Sequence, residues 1–332
     1  MRIGLIGTGR IGAFHAATLA GLPSVDGVVV YDANADSARA TAERIGGTVA
    51  GDLDGLLGAG LDGVVITTPT ASHAELILAA QHAGLPAFCE KPVASSLAET
   101  DAVLAAVEGS GVPLHIGFQR RFDTGYQTLR EAVASGRLGW THTLRACTSD
   151  PTPPHAGYIP GSGGIFRDCA VHDYDIIRWV TGREVTEVYA TGSNRGDDFF
   201  AAAGDVDTGV TVLTLDDGTL ATCTATRYNG AGYDVRLEVC GSKGTLVAGL
   251  TGDSPLASAE GARWPDGTPY PGFMERFRDA YRAELTAFTE VVAGTRPSPC
   301  TAQDARAALA VADAAARSRA EGRPVPLAEP AP

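Results

Sequence analysis

The sequence contains few cysteines, and their positions give no sign of structural pairing. Six cysteines lie singly along 332 residues, and none belongs to a Cys-x-x-Cys pair. This scatter argues against a disulfide framework and predicts buried thiols in a reducing compartment. No group of histidines and cysteines has the spacing typical of zinc, so we predict no metal site.

Positive charge and long apolar segments are also scarce. Asp and Glu total 39 against 26 Lys and Arg, which gives a net charge of −13. An acidic surface argues against nucleic acid and anionic membranes as partners. No apolar stretch reaches the roughly 18–20 residues that span a bilayer, and the N-terminus, MRIGLIGTGR, lacks the features of a signal peptide. We therefore expect a soluble, cytoplasmic protein.

The first part of the chain alternates short Val/Ile-rich runs with Ala-rich helical patterns. Predicted strands lie at 2–7, 27–32, 47–51, 62–68, 86–91 and 113–118. Nearly continuous apolar strands separated by helices are typical of a parallel sheet with helices on both faces. The pattern predicts a doubly wound α/β domain of the Rossmann type over residues 1–120.

The second part of the chain has a different pattern. From about residue 140, stretches such as GVTVLTLDDGTLATCTATRYN alternate with period two, and hairpin turns are predicted at Asp217-Gly218 and at 241–244. We predict an α+β domain over residues 121–332 with a large, mostly antiparallel open sheet. One end would bind substrate, and the apolar open face would serve self-association. A last helix, at about 302–320, could pack back on the first domain.

A glycine-rich turn, GTGRIG, joins the first strand to the first helix. Gly7 allows the tight turn, Gly9 lets the backbone approach a pyrophosphate, and Gly12 lets the helix pack closely on the strand. Arg10 and Ile11 lie at the start of the helix, whose N–H groups and partial positive charge suit phosphates. Because the turn lies between a strand and a helix, it predicts a dinucleotide-binding site.

The residue that ends the second strand indicates which dinucleotide is bound. Asp32 follows the glycine turn by twenty residues, the position at which a carboxylate accepts hydrogen bonds from the ribose hydroxyls. A carboxylate there repels a 2′-phosphate, and neither Ala33 nor Asn34 offers the positive charge that would attract one. The sequence therefore favours NAD over NADP.

Two further loops end parallel strands at the same predicted sheet edge, where ligands of doubly wound sheets bind. Thr68 and Pro69 are candidates to line the cofactor cleft, with a plain capped turn as the alternative; we expect the nearby His73 to begin a helix. In CEKPVA, Glu90 and Lys91 are candidate cofactor contacts. A lysine in an enclosed cleft can also stabilise a developing alkoxide, the alternative being a surface lysine.

The segment RDCAVHDYDIIRWV places three carboxylates and an imidazole in a run that otherwise reads as a buried helix. Asp168, His172 and Asp175 would share one helical face. Asp168 could hold the imidazole in one tautomer and stabilise its cationic form, which makes His172 a candidate general base. Asp173 points to the apolar side and is interpreted as a structural partner. The alternatives are a core histidine with an acidic neighbour or, less favoured, a metal site.

Several motifs together resemble the GFO/IDH/MocA oxidoreductase family, and within it the inositol 2-dehydrogenases, nearly end to end. They are GTGRIG, EKPVA, GFQRRFD, SGGIFRDCAVHDYDIIRWVTG and GYDVRLEVCGSKG. The resemblance implies NAD-dependent oxidation of a ring secondary alcohol of a cyclitol or sugar to a ketone, with myo-inositol foremost, and a homotetramer. Another cyclitol, an aldose or an aminosugar intermediate is the alternative substrate; a non-catalytic NAD-binding regulator is a further alternative.

The same resemblance implies roles for individual residues. Lys91, Asp168 and His172 would be catalytic and would contact the substrate, and the peptide bond after Lys91 would be cis. His172 would take the hydroxyl proton, Asp168 would orient His172, and Lys91 would hydrogen-bond the reacting oxygen. Asp150 and Tyr233 would be further substrate contacts. In GFQRRFD, one arginine of the pair at 120–121 could help close the site, the alternative being a structural ion pair.

Overall fold

The computed structural model describes residues 1–261 and 267–328. Its α-helices are α1 (Arg10–Ala20), α2 (Ala35–Ile45), α3 (Leu53–Leu57), α4 (His73–His82), α5 (Leu97–Ser110), α6 (Thr124–Ala134), α7 (Val171–Thr181), α8 (Phe199–Ala202), α9 (Phe273–Arg276), α10 (Arg278–Val292) and α11 (Ala302–Glu321). Its strands are β1 (Arg2–Ile6), β2 (Gly27–Tyr31), β3 (Thr48–Val49), β4 (Gly63–Ile66), β5 (Ala87–Glu90), β6 (Leu114–Gly117), β7 (Thr141–Ser149), β8 (Val185–Ser193), β9 (Thr208–Leu215), β10 (Leu220–Thr226), β11 (Asp234–Gly241), β12 (Gly244–Ala248) and β13 (Val325–Pro326).

The chain folds into two compact units. One comprises residues 1–119 with 279–306, and the other comprises residues 120–278 with the chain from residue 307 onward. The division falls within α11, whose first residues belong to the first unit. There Arg306 forms an ion pair with Asp101 of α5. Among the described residues, no helix is both long and apolar enough to cross a membrane.

The sheet of the first unit is parallel throughout, in the order β3-β2-β1-β4-β5-β6. The chain adds strands on one side of β1 and then returns to add β4 to β6 on the other, which is the doubly wound order with its crevice between β1 and β4. Val64, Val65 and Ile66 are wholly buried, as expected of a strand covered on both faces. The predicted doubly wound Rossmann fold is confirmed.

The sheet of the second unit has seven strands in the order β12-β11-β7-β10-β9-β8-β13. Among the strands of this sheet that the structure describes, only β7 and β10 pair in parallel. Both predicted hairpin turns are present, and Gly218 adopts a φ of +84°, which suits glycine. Side chains alternate between a buried face and an exposed one along β9 and β10. The predicted mostly antiparallel open sheet is thus confirmed.

The segment with three carboxylates differs from the regular helix that the sequence predicts. A π turn, Phe166–Ala170, precedes α7. The wider turn changes which residues before and after it share a face. Asp168 lies in this π turn and His172 in the first turn of α7, and both are half-buried, whereas Asp175 is fully buried. His172 and Asp175 both lie in α7 after the π turn, so it is the position of Asp168 relative to these two residues that departs from the regular helical spacing.

Candidate active site

The glycine turn in the first unit requires glycine at two positions for steric reasons. Gly7 follows β1 with a φ of +95°, and a Cβ atom there would lie 2.9 Å from Thr68. A Cβ on Gly12 would lie 2.0 Å from the carbonyl oxygen of Gly7. Helix α1 begins at Arg10, and a Cβ on the preceding Gly9 would meet nothing within 4 Å. The turn is thus tightly packed at Gly7 and Gly12 and open at Gly9. This arrangement lets a pyrophosphate approach the backbone.

Asp32, just beyond β2, is held in place by the same turn. The backbone N–H and the hydroxyl of Thr8 donate to its Oδ2 at 2.6 and 2.8 Å, and the N–H of Asn34 donates to its Oδ1 at 2.8 Å. Burial alone would raise the pKa of Asp32, but these hydrogen bonds lower it below its ordinary value. The carboxylate therefore stays ionised, as required to accept hydrogen bonds from ribose hydroxyls.

His73 links the loops that follow β4 and β5. Its ring is buried, with Nε2 2.8 Å from the carbonyl oxygen of Thr68 and Nδ1 2.7 Å from that of Pro92. The sequence predicts only that His73 begins a helix, which it does, since α4 starts there. The ring thus ties the loop with Thr68 and Pro69 to the turn that carries Lys91.

Glu90 and Lys91 stand at the end of β5, and the peptide bond from Lys91 to Pro92 is cis, as the resemblance implies. The Nε2 atom of the buried His15 lies 2.6 Å from Oε1 of Glu90. A carboxylate oxygen only accepts, so His15 donates this hydrogen bond and joins α1 to the end of β5. The predicted contact of Glu90 with the cofactor stays a prediction.

In the first unit, the candidate cofactor residues therefore follow strands that are neighbours in the sheet, namely β2, β1, β4 and β5. Their side chains and backbone present an open glycine turn, an ionised carboxylate and a lysine at the carboxyl edge. These features fit a dinucleotide with an unmodified ribose. Throughout residues 1–261 and 267–328, no three His, Cys, Asp or Glu side chains are grouped so that they could hold a metal ion.

In the second unit, Asp168 and Asp150 share one arginine that the sequence did not single out. Arg227, which is 3% exposed, donates to Oδ2 of Asp168 at 2.7 Å and to Oδ2 of Asp150 at 3.2 Å. The hydroxyl of Tyr158 donates to the other oxygen of Asp168 at 3.0 Å. Burial raises the pKa of Asp150, and the guanidinium of Arg227 opposes that rise. Both predicted carboxylates therefore belong to one charged cluster.

Tyr233 is buried in the same unit. Burial raises the pKa of its phenol well above the usual value, with Arg120 opposing the rise and Asp150 adding to it. The phenol therefore remains protonated and can donate a hydrogen bond. The charge of Asp150 affects the pKa of Tyr233, so the two predicted substrate contacts lie in the same region of this unit, although contact with a substrate stays a prediction for both.

The two arginines of GFQRRFD form buried ion pairs with α7. Arg120 donates to Asp173 at 2.5 Å and to the hydroxyl of Thr148 at 2.9 Å. Arg121 binds Asp175 through two nitrogens, with Nε at 2.9 Å. Together with the pairing of Asp168 and Arg227, all three carboxylates of the buried segment are thus neutralised by arginines. The interpretation of Asp173 as a structural partner agrees with this geometry, and the ion-pair alternative holds for both arginines.

The fold of the first unit and its glycine turn define the class of protein, a dinucleotide-binding Rossmann protein. Residues 1–118 match the model of an oxidoreductase family with an NAD-binding Rossmann fold, and residues 126–247 match the GFO/IDH/MocA C-terminal domain. The chain therefore belongs to the GFO/IDH/MocA oxidoreductase family. The predicted family is confirmed, and so is NAD as the cofactor that the family's fold binds.

Relatives of this chain cover nearly its whole length. It is 39% identical over 331 residues to myo-inositol dehydrogenase Hyg17 of Streptomyces leeuwenhoekii, and the alignment covers 99% of this chain and 100% of that protein. It is 39% identical over 337 residues to myo-inositol 2-dehydrogenase of Thermotoga maritima, 99% of each. The structure of scyllo-inositol dehydrogenase from Lactobacillus casei with bound NAD(H) and scyllo-inositol is similar with a TM-score of 0.90 and 28% identity, over 99% of each chain.

Proposed function

We propose that this protein is an NAD-dependent dehydrogenase that oxidises a ring secondary alcohol of a cyclitol to a ketone, and specifically a myo-inositol 2-dehydrogenase. The observation that carries the proposal is the similarity over the full chain to proteins named as inositol dehydrogenases. The chain also keeps Lys91, Asp168 and His172 of the motifs that carry the resemblance. A non-catalytic regulator would not need all three.

The first unit would hold the cofactor. Gly7, Gly9 and Gly12 would admit the pyrophosphate, with Arg10 and Ile11 at the helix start, and Asp32 would accept hydrogen bonds from the ribose. The loop residues Thr68, Pro69, Glu90 and Lys91 would line the nicotinamide side of the cleft. When bound, NAD supplies the acceptor for the hydride that leaves the carbinol carbon. The ionised Asp32 disfavours a 2′-phosphate, which supports NAD over NADP.

We assign the chemical steps to three side chains. Lys91 donates a hydrogen bond to the substrate hydroxyl and stabilises negative charge as it develops on that oxygen. His172 takes the hydroxyl proton as general base. Asp168 orients the imidazole and stabilises its cationic form. The ion pair of Asp168 with Arg227 supports this role, because it fixes the carboxylate.

Polar groups in the second unit suit a substrate with many hydroxyls. Asp150 can accept hydrogen bonds from a polyol, and Tyr233 can donate one. Both side chains are largely buried, and buried polar groups usually form hydrogen bonds. We propose these two residues, with the second unit as a whole, as the source of substrate specificity.

The proposal extends to assembly and location. The sheet of the second unit exposes Tyr189, Val210 and Val212 to 38–42%, and these side chains are neighbours across β8 and β9. Such a patch supports self-association, and we propose a homotetramer. None of the six cysteines, all within the described residues, takes part in a disulfide, which agrees with a cytoplasmic location.

A substrate screen tests the proposed activity. The purified protein is assayed for NADH formation at alkaline pH with myo-inositol, scyllo-inositol, other inositol isomers, aminocyclitols, glucose, galactose and xylose, each with NAD and with NADP. The highest kcat/KM is expected for myo-inositol with NAD. A clear preference for an aldose or an aminocyclitol would mean that this compound, and not myo-inositol, is the substrate. No turnover with any of the compounds would overturn the proposed function.

A further inference from the structure

The position of Arg227 follows from the one parallel pairing in the second sheet. Strand β10 pairs with β7 so that Thr226 lies opposite Ser149. The residues immediately after these two are Arg227 and Asp150, and the N–H of Asp150 donates to the carbonyl oxygen of Thr226 at 2.9 Å. The backbone itself therefore sets Arg227 beside Asp150 at the end of the two strands.

The guanidinium of Arg227 also reaches the π turn. One nitrogen donates to Asp150 and a second donates to Asp168, at 3.2 and 2.7 Å. The side chain of Arg227 is 4% exposed, and those of Asp150 and Asp168 are 23% and 13% exposed. One cation thus lies between two poorly solvated carboxylates that come from different parts of the chain.

Two uncharged donors also contact this cluster. Tyr158 donates to Asp168, and the thiol of Cys169 lies 3.7 Å from Oδ2 of Asp150. Burial and the charge of Asp168 raise the pKa of Tyr158, so its hydroxyl stays protonated. The charges of Asp150 and of the Arg120 guanidinium both affect the pKa of Tyr233, whose phenol is protonated. His172 follows on α7. Among these groups, only the arginines and a protonated His172 can supply positive charge.

We propose that Arg227 is a positioning residue for the proposed dehydrogenase. It keeps the carboxylates of Asp168 and Asp150 ionised, and it holds Asp168 next to the general base and Asp150 toward the polyol. This inference rests on the proposed function. Two carboxylates deprived of their shared cation would repel each other, and one would be protonated more readily. A protonated Asp168 could no longer stabilise a cationic His172. Turnover should therefore depend on Arg227 most strongly at low pH.

The test compares Arg227→Met and Arg227→Lys with a matched control, Arg236→Met. Arg236 binds Asp234 through two nitrogens within the same sheet and is absent from the proposed machinery. For each protein, kcat and KM for myo-inositol are measured across pH, NAD binding is titrated by fluorescence, and thermal unfolding is recorded.

In Arg227→Met, kcat/KM for myo-inositol should fall about 100-fold, the loss typical of a misplaced reacting group. The acidic limb of the kcat/KM profile should move to higher pH, and NAD affinity should stay within about twofold of the wild type. Compared with Arg227→Met, Arg227→Lys should recover part of the activity and return the acidic limb toward its original pH. Lysine restores the positive charge but not the two separate guanidinium nitrogens that donate to Asp150 and Asp168. Arg236→Met should leave the profile unchanged, even if it lowers the unfolding temperature.

Wild-type kcat/KM with an unmoved acidic limb in Arg227→Met would overturn the inference. If Arg227→Met does not fold, Arg227→Lys decides: wild-type kcat/KM in that variant would show that the two-pronged geometry is not needed. A third variant, Arg227→Met with Asp150→Asn, removes one carboxylate and should move the acidic limb back; a limb that stayed displaced would contradict charge compensation. Failure of the proposed function is distinct, since it would appear as an inactive wild type.

Discussion

Asp32 accepts two hydrogen bonds from Thr8, one from its backbone N–H and one from its hydroxyl. The residue that we propose to select the dinucleotide and the turn that we propose to receive its pyrophosphate are thereby a single hydrogen-bonded unit. Because the N–H groups of Thr8 and Asn34 already satisfy part of the carboxylate, its orientation is set before any ribose arrives. Such preorganisation reduces the ordering needed when a ligand binds.

We expect Asp32→Asn to weaken NAD binding and to narrow the preference for NAD over NADP. A hydrogen bond to a charged group contributes about 1.5–3 kcal/mol, so the ratio of the two kcat/KM values should fall by roughly tenfold or more. Asp36→Asn is the matched control, since Asp36 is an exposed residue of α2 paired with Arg39. An unchanged cofactor ratio in Asp32→Asn would refute the assigned role.

Lys91→Ala and His172→Ala should each lower kcat by about 10²–10⁴-fold, the usual contribution of a positioned acid or base. NAD affinity should change far less than kcat, since both variants keep the glycine turn and Asp32. The controls are Lys243→Ala, in the turn between β11 and β12, and His142→Ala, in β7, both at exposed positions. Steady-state kinetics and NAD titration give both readouts, and full activity in either variant would mean that the residue has no part in the chemistry.

The features that the sequence predicts best are those encoded by neighbouring residues. The glycine turn, Asp32 and the strand pattern of the first unit each occupy a short window, so periodicity and spacing suffice to find them. The hairpin turn at Asp217-Gly218 is equally local. The fold class follows from these windows because alternating strands and helices close into few architectures.

What the sequence does not reveal depends on pairing between distant strands or on irregular backbone. Arg227 meets Asp150 across 77 positions of sequence, and only the register of β10 against β7 brings them together. A sequence pattern based on 3.6 residues per turn does not predict the π turn at Asp168. The two carbonyl contacts of His73 likewise depend on where the ends of β4 and β5 lie.

His73→Phe should loosen the loops that follow β4 and β5. The substitution keeps a ring of similar size but leaves the carbonyl oxygens of Thr68 and Pro92 without the donor that His73 offers. A buried polar group left unsatisfied costs about 1–3 kcal/mol, so the free energy of unfolding should fall by that amount and KM for NAD should rise. The control is His82→Phe at the exposed end of the same helix. Denaturant unfolding and kinetics that match the wild type would show that the bridge has no consequence.

Arg120→Met should destabilise the second unit far more than most arginine substitutions. Its partner Asp173 is fully buried, and removing one member of a buried ion pair typically costs about 3–5 kcal/mol. The double variant Arg120→Met with Asp173→Leu should recover much of that loss, because no uncompensated charge remains. Arg145→Met, at an exposed pair with Glu238, should have little effect. Equal unfolding free energies for the single and double variants would contradict this account.

Val212→Asp should prevent the proposed tetramer from forming. Val212 lies opposite Tyr189 on the exposed face of the second sheet, and a carboxylate there would be buried without a partner if that face meets another copy. The control is Val49→Asp, which introduces the same charge at an exposed valine of β3 in the first sheet. Light scattering coupled to size exclusion should give a smaller mass for Val212→Asp alone. If both variants keep the mass of the wild type, the open face is not the surface through which the chains associate.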